Sequence, residues 1–135
     1  MAIIYRFEEL IVWQESRELA KIIHKMMVNV SDRDFKSQIQ RAAVSIMNNI
    51  AEGFDRNKID ESNKSFIYFL DISYGSCGEV RSMAYLAEDL GYLSTEQSAL
   101  IKNNCKSISN KLFAFIQNLK NNAKPKPTSP QQPTY

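Results

Sequence analysis

The chain has 135 residues, of which 44% are hydrophobic, and it carries 17 basic and 15 acidic side chains. This length suits one domain with a buried core, and the apolar content excludes a chain that is disordered throughout. The small net charge of +2 does not indicate a partner that is bound by overall charge alone.

Composition also excludes several kinds of site. One histidine, His24, and two cysteines, Cys77 and Cys105, are too few for an ordinary structural zinc site or a ferritin-like di-metal centre. The four glycines form no phosphate-binding loop motif, so we expect neither a metal nor a cofactor. We expect no signal peptide, because the charged residues Arg6, Glu8 and Glu9 follow only a few apolar residues, and no apolar run is long enough to span a membrane. We therefore expect a cytoplasmic protein with reduced cysteines and no membrane partner.

Four segments show the three- and four-residue spacing of apolar side chains that is typical of amphipathic helices. They cover residues 9–30, 34–54, 61–90 and 95–120, and all four prolines lie beyond them in the last eleven residues. Because the loops between the segments are short, consecutive helices are expected to run antiparallel. Residues 1–120 are therefore predicted to form an all-α domain, an antiparallel up-down-up-down four-helix bundle. Residues 121–135 are predicted to form a disordered, proline-rich tail.

Residues that favour helix ends lie at the predicted boundaries. A side-chain oxygen at an N-cap accepts a hydrogen bond from a free backbone N–H group, and glycine after a helix tolerates a positive φ. The candidates are Ser31 or Asp32 for the second helix, Ser62 for the third, Gly91 after the third, and a capping box of Ser94 with Gln97 for the fourth.

Six polar residues of the second predicted helix fall within an arc of about 80°. This polar stripe consists of Gln38, Arg41, Ser45, Asn49, Glu52 and Arg56. A solvated face usually carries Lys, Glu and Gln, whereas the middle of this stripe, Ser45 and Asn49, is short and forms helix poorly. Such short side chains allow another backbone or a ligand to approach closely.

The third predicted helix has a broad apolar arc of about 200° that contains Glu79 beside Ser76. A carboxylate in apolar surroundings needs a cation or several donors, so we expect Arg41 or Arg56 to pair with Glu79, with Arg81 of the same helix as a lesser candidate. Three roles for the combined polar residues remain open. They could form an ion pair that fixes the packing, contact a ligand or nucleic acid, or support catalysis by Arg41, Glu52 and Glu79.

The breadth of this arc also predicts assembly. One bundle buries about one stripe of each helix, so a second stripe has to be covered by another chain. The additional apolar residues of the third helix are Phe69, Ile72, Met83, Leu86 and Leu90. We therefore expect a homo-oligomer.

The last two helices differ in charge. Segment 59–93 has two basic and six acidic residues, whereas segment 94–120 has four basic residues and one acidic residue. Phosphate contacts depend on charge and not on sequence, which makes the basic residues of the fourth helix candidates. They are Lys102, Lys106, Lys111 and Lys120. The alternative is a basic face that only keeps the protein soluble.

The run SQIQRAAVSIMNNIAEGF, from Ser37 to Phe54, resembles the signature of a bacterial four-helix bundle family, the 23S rRNA intervening-sequence proteins. Further similar pieces follow the same order along the chain. They are Phe7-Glu8-Glu9-Leu10, Val12-Trp13-Gln14, Gly75-Ser76 with Glu79, and Leu90-Gly91-Tyr92-Leu93.

This resemblance implies a homo-oligomer, typically a ring of five bundles, with no established enzymatic activity. Some members of the family are encoded inside intervening sequences of large-subunit rRNA genes. More distant relatives, the accessory proteins of diversity-generating retroelements, associate with a reverse transcriptase and nucleic acid. The implied partners are therefore further copies of the chain and RNA or a nucleic-acid enzyme.

An enzymatic alternative rests on Arg17 and His24, which lie seven residues apart and hence on one face of the first helix. Their spacing is similar to the motif of HEPN-type ribonucleases, although that motif normally lies in a later helix. A histidine and an arginine from two copies could act as general base and phosphate clamp. The leading hypothesis is nevertheless a non-catalytic oligomeric scaffold that binds RNA or an RNA-handling protein.

Overall fold

The computed structural model describes residues 3–122, which contain four α-helices, a short 3₁₀ turn and no β-strand. After the turn at Phe7–Glu9, the helices are α1 (Ile11–Met26), α2 (Arg33–Asp60), α3 (Lys64–Asp89) and α4 (Thr95–Asn122). The prediction of four helices is therefore confirmed for this part of the chain. Residues 121 and 122, the first two of the predicted tail, belong to α4, and the rest of the predicted tail lies outside the described residues.

Helix α2 is longer than its apolar pattern predicted. It continues for six residues beyond Phe54, to Asp60, because this stretch contains neither proline nor glycine. Arg56 also pairs with Glu52 one turn earlier, with an N–O distance of 2.9 Å. The residue that follows the helix, Glu61, has a φ of 60°, in the left-handed region, and this conformation ends α2. The predicted end near Phe54 was therefore wrong.

Three of the predicted helix ends are confirmed. The Asp32 side chain accepts a hydrogen bond from the backbone N–H of Phe35 at 3.1 Å, and Gly91 has a φ of 76°. Ser94 and Gln97 form the reciprocal capping box, in which each side chain accepts from the other's backbone N–H at 3.1 and 3.0 Å.

The turn between α2 and α3 is held by asparagines together with the predicted capping residue Ser62, whose hydroxyl oxygen accepts a hydrogen bond from the backbone N–H of Lys64 at 3.3 Å. The residue before α3 is Asn63, which has a φ of 68°. Asn57 donates from Nδ2 to Asn63 Oδ1 at 2.9 Å, and its Oδ1 accepts from the Asn63 backbone at 3.0 Å. Asn63 Nδ2 in turn donates to the carbonyl oxygen of Leu119 in α4 at 3.4 Å. This amide cluster fixes α2, α3 and α4 at one end of the molecule.

Helix α1 packs against α2 and α4, and α3 packs against the same two helices, around one apolar core. The partners of α2 and α3 run in opposite order along the two helices. Gln38 of α2 contacts Glu79 of α3. Ser45, which is farther along α2, contacts Ser76, which comes earlier in α3. The largest fully buried side chains are Leu10, Leu19, Ile23, Met27, Ile39, Ile46, Ile50, Leu70, Ile101, Ile108, Leu112 and Phe115.

Small residues bring the helices of this core close together. The buried hydroxyl of Ser73 donates to the carbonyl oxygen of Ile46 in α2 at 2.8 Å, and that of Ser98 donates to Ala84 in α3 at 2.9 Å. Within residues 3–122, no buried side-chain nitrogen or oxygen lacks a hydrogen-bond partner. None of the described helices is both long and apolar enough to cross a membrane.

Candidate functional site

The polar stripe lies where α2 meets α3, and several of its members bond to one another. The hydroxyl oxygens of Ser45 and Ser76 are 2.9 Å apart. Asn49 Nδ2 donates to the backbone oxygen of Ser45 at 2.8 Å and to its hydroxyl at 3.0 Å. Gln38 Nε2 donates to Glu79 Oε2 at 3.3 Å. The short side chains therefore serve the contact between α2 and α3.

The expected pairing of Glu79 with Arg41 or Arg56 was wrong. Glu79 is exposed, and among the described residues no ion pair joins it to an arginine. Arg56 instead pairs with Glu52, and its guanidinium lies 5.3 Å from the ring centre of Phe69. The physical reason is hydration, because the apolar arc that surrounds Glu79 is itself partly open to solvent in the single chain and the carboxylate needs no cation.

Helix α3 exposes two pairs of large apolar side chains, one pair before Glu79 along the helix and one after it. The exposed fraction is 62% for Tyr68, 47% for Leu86 and 49% for Leu90, and 36% for Ile72. These four residues, which we call the apolar stripe, share an arc of about 40° on α3. The prediction of a second apolar surface on this helix is thus correct for Ile72, Leu86 and Leu90. The chain itself covers much of the other two predicted members, Phe69 and Met83.

A shallow groove of about 610 Å³ runs along the outer side of α2, and His24 of α1 contributes to it. The groove lining contains three permanent cations and no carboxylate. We call this surface the basic groove; it consists of His24, Arg33, Lys36, Ser37, Gln40, Arg41, Val44, Ser45, Asn48 and Asn49. Within residues 3–122, Arg33, Lys36 and Arg41 form no ion pair. These cations are therefore available to an external anion.

Two of the four lysines predicted to contact phosphate already have partners inside the chain. Lys102 Nζ lies 3.6 Å from a carboxylate oxygen of Glu88. Lys111 Nζ lies 2.8 Å from Glu15. The other two candidates are exposed on α4: Lys106 and Lys120. A phosphate at Lys102 or Lys111 would have to compete with a carboxylate, whereas one in the basic groove would not.

Sequence reasoning missed Arg33 and Lys36 because it compared segment charges only for the last two helices. Helix α2 also carries acidic residues such as Asp34 and Glu52, which offset its cations in such a sum. The signal was present in the spacing, since Arg33, Lys36 and Gln40 recur every three or four residues and share the outer side of α2. The contribution of His24 from α1 depends on tertiary packing, which the spacing does not show.

Arg17 and His24, the two residues of the enzymatic alternative, interact with different neighbours. Arg17 places its guanidinium 5.7 Å from the ring centre of Trp13. His24 donates from Nδ1 to the carbonyl oxygen of Ala20 at 2.9 Å, which directs its hydrogen-bonding capacity at Nε2 outward. No hydrogen bond between Arg17 and His24 occurs among the described residues.

The cysteines are buried in the core and free of a disulfide. Cys77 donates from Sγ to the carbonyl oxygen of Cys105 at 3.2 Å. The contact with Cys77 and burial raise the pKa of the Cys105 thiol, so this thiol stays protonated at neutral pH. No group of three or more potential metal ligands occurs in the described part of the chain.

Comparisons with known proteins agree with the resemblance seen in the run from Ser37 to Phe54. The sequence matches the family described as 23S rRNA-intervening sequence protein over residues 8–114. The fold is similar to a 1.70 Å crystal structure of a protein of unknown function from the S23 ribosomal protein family of Bacteroides thetaiotaomicron. The two are 27% identical, with a TM-score of 0.67, and the likeness covers 79% of this chain and 99% of that chain. No curated protein matches the sequence.

Proposed function

The chain belongs to the 23S rRNA-intervening sequence protein family, and on this premise we propose a non-catalytic, homo-oligomeric scaffold that binds RNA or an RNA-handling protein. The observation that carries the proposal is the apolar stripe on α3, where Leu86 and Leu90 leave nearly half of their surface in solvent. Covering such residues with another copy stabilises the assembly by about 25 cal/mol per Å² of apolar surface removed from water.

The proposed subunit is an antiparallel up-down-up-down bundle, and the proposed assembly is a closed ring of five, as the resemblance implies. The opposite order of contacts along α2 and α3 supports the first part. A ring requires two different surfaces of the chain to meet. Tyr74 and Phe113 supply a second exposed apolar surface, with their ring centres 6.5 Å apart.

RNA is the proposed ligand because the chain carries cations that its own carboxylates do not neutralise, on α2 and at Lys106 and Lys120. Electrostatic contact with phosphates supplies most non-specific affinity for nucleic acid. A cytoplasmic location is part of the proposal. The two free, buried thiols favour a reducing compartment.

The oligomer is tested by light scattering at micromolar concentration, which measures mass without a standard. We expect about five times the protomer mass of 15.5 kDa. A stable species with the mass of one protomer would contradict the scaffold. Binding of a labelled RNA should weaken as salt rises, and an affinity that is absent at low salt, or unaffected by salt, would remove RNA as the ligand.

The non-catalytic part of the proposal is tested with the same RNA. Wild type and His24→Ala should leave it equally intact during a long incubation. Cleavage by wild type that is lost in His24→Ala and in Arg17→Ala would support the ribonuclease alternative instead.

A further inference from the structure

We propose that the basic groove on α2 holds the sugar–phosphate backbone of RNA and does so without reading the bases. This inference rests on the proposed function, because it names the surface and the part of the ligand through which the RNA is bound. It concerns a site that includes Arg33, Lys36 and Arg41 of α2 together with His24 of α1.

The inference rests on three cations, Arg33, Lys36 and Arg41, that line one groove without a carboxylate. Five of the twelve Lys and Arg side chains elsewhere in the described chain form ion pairs, as Lys21 does with Glu18 at 3.0 Å and Lys111 with Glu15 at 2.8 Å. The three permanent cations of the basic groove have no such partner, and no carboxylate lines the groove. Three unneutralised positive charges side by side repel one another, and an anion that lies between them relieves this repulsion.

The dimensions suit a chain of phosphates and not one small anion. Arg33 and Arg41 are eight residues apart on a continuous helix, which corresponds to about 12 Å along its axis. One strand of a nucleic acid helix advances about 3.4 Å per phosphate, so this length spans roughly three phosphates. The cations are therefore distributed along a path, as backbone binding requires.

The uncharged lining explains why the bases are not read. The remaining side chains of the groove are small or amide-bearing, such as Gln40 and Asn48, which can reach sugar hydroxyls. No Phe, Tyr or Trp lines the groove, so the large aromatic rings on which bases stack most strongly are missing from this lining. Arg41 also lines the neighbouring groove between α2 and α3, together with Asp34 and Glu79. The charges of these two carboxylates favour a phosphate path on the side of Arg33 and Lys36, where no carboxylate lines the groove.

The test compares two triple variants that lose the same charge. Arg33→Gln/Lys36→Gln/Arg41→Gln neutralises the basic groove, and Lys58→Gln/Lys64→Gln/Arg81→Gln neutralises three exposed cations elsewhere on α2 and α3. Fluorescence anisotropy measures the affinity of each full-length protein for a labelled, mixed-sequence single-stranded RNA of 20 nucleotides over a series of salt concentrations. Circular dichroism and light scattering confirm that fold and mass are those of wild type.

We expect the groove variant to bind at least about tenfold more weakly at low salt than either wild type or the control variant. The slope of log affinity against log salt should fall by about 2, since three phosphate contacts on a single strand are lost. A groove variant that binds as wild type does would overturn this inference and leave the proposed RNA binding intact. A wild type that binds no RNA at low salt would overturn both.

A second measurement tests the indifference to sequence. Poly(U) and poly(A) of equal length should bind with affinities that agree within a few-fold, because contacts of the three cations with phosphates do not depend on the base. A strong preference for one of them that disappears in the groove variant would show that the groove reads bases, which contradicts the inference.

Discussion

At one end of the molecule, Tyr92 joins the loop after α3 to the start of α2. Its hydroxyl donates to Asp32 Oδ2 at 2.7 Å, while Asp32 Oδ1 accepts from the backbone N–H of Phe35. The hydrogen bond from Tyr92, and then that from Phe35, lower the pKa of the Asp32 carboxyl below its ordinary value. One carboxylate thus caps a helix and fastens a loop sixty residues away.

The ionised form of Asp32 is the one that folding favours, so its contribution to stability is present at neutral pH. It is lost as the pH falls from about 4, near the ordinary pKa of an aspartate, through the lowered pKa of the folded state. We expect Tyr92→Phe to lower the melting temperature by about 3 °C at pH 7 and by clearly less at pH 3. Thermal unfolding followed by circular dichroism at both pH values measures the difference.

The matched control is Tyr85→Phe, which removes an exposed hydroxyl from α3. It should leave the melting temperature unchanged at either pH. If Tyr92→Phe loses equal stability at pH 7 and pH 3, the hydroxyl does not act through the Asp32 carboxylate. The cap itself was predictable from Asp32 and the pattern that follows it, whereas Tyr92 was not, because nothing local links two residues so far apart in the chain.

Between α2 and α3, the close approach of the two helices depends on Gly53. A Cβ at this position would lie 2.9 Å from Phe69 Cβ and 3.0 Å from Phe66 Cδ1. Phe69 Cβ is fixed by its own backbone, so the helices would have to move apart. The glycine is therefore required by packing, although it is unfavourable for an isolated helix.

We expect Gly53→Ala to destabilise the protein by about 1–2 kcal/mol, as the overpacking exceeds the roughly 1 kcal/mol gained in helix propensity. Gly78→Ala is the control, since a Cβ there meets nothing within 4 Å. It should be neutral or stabilise by up to about 1 kcal/mol. Urea unfolding at one fixed protein concentration measures both changes. Equal effects of the two substitutions would contradict the packing argument.

The number and order of the helices were predictable because each has a strong apolar period, and the prolines lie outside the helices. The ends of the helices were less predictable. Helix α2 continues to Asp60 through residues without an apolar period, and the ion pair of Arg56 with Glu52 helps to stabilise this last part of the helix. The partner of Glu79 was wrongly predicted for another reason. An apolar arc wider than one helix–helix contact does not say which part of it is buried in the single chain.

For the whole molecule, the apolar stripe on α3 is the surface whose removal tests assembly most directly. Leu86→Glu places a charge in the stripe, where another copy would have to desolvate it. We expect this variant to shift the mass measured by light scattering to that of one protomer. Leu100→Glu is the control, because Leu100 is a comparably exposed leucine on α4.

The mass of Leu100→Glu should remain that of wild type, and both variants should keep the helical content of the folded chain. Equal masses for Leu86→Glu, Leu100→Glu and wild type would place the subunit contact elsewhere. Neither the apolar stripe nor the basic groove could be fully delimited from the sequence, because each depends on what neighbouring helices leave uncovered. His24 illustrates this, since it joins residues of α2 that lie at least nine positions away in the chain.

The hydrogen bond from Asn63 to Leu119 has a practical consequence for labelling the protein or immobilising it on a surface. It holds the last turns of α4 beside the turn from α2 to α3, opposite the end where Asp32 and Tyr92 meet. A dye or a surface tether attached at Asn122 would therefore be at the end of the molecule remote from Arg33. Immobilised this way for a biosensor, the first turn of α2 would point toward the flowing analyte, away from the chip.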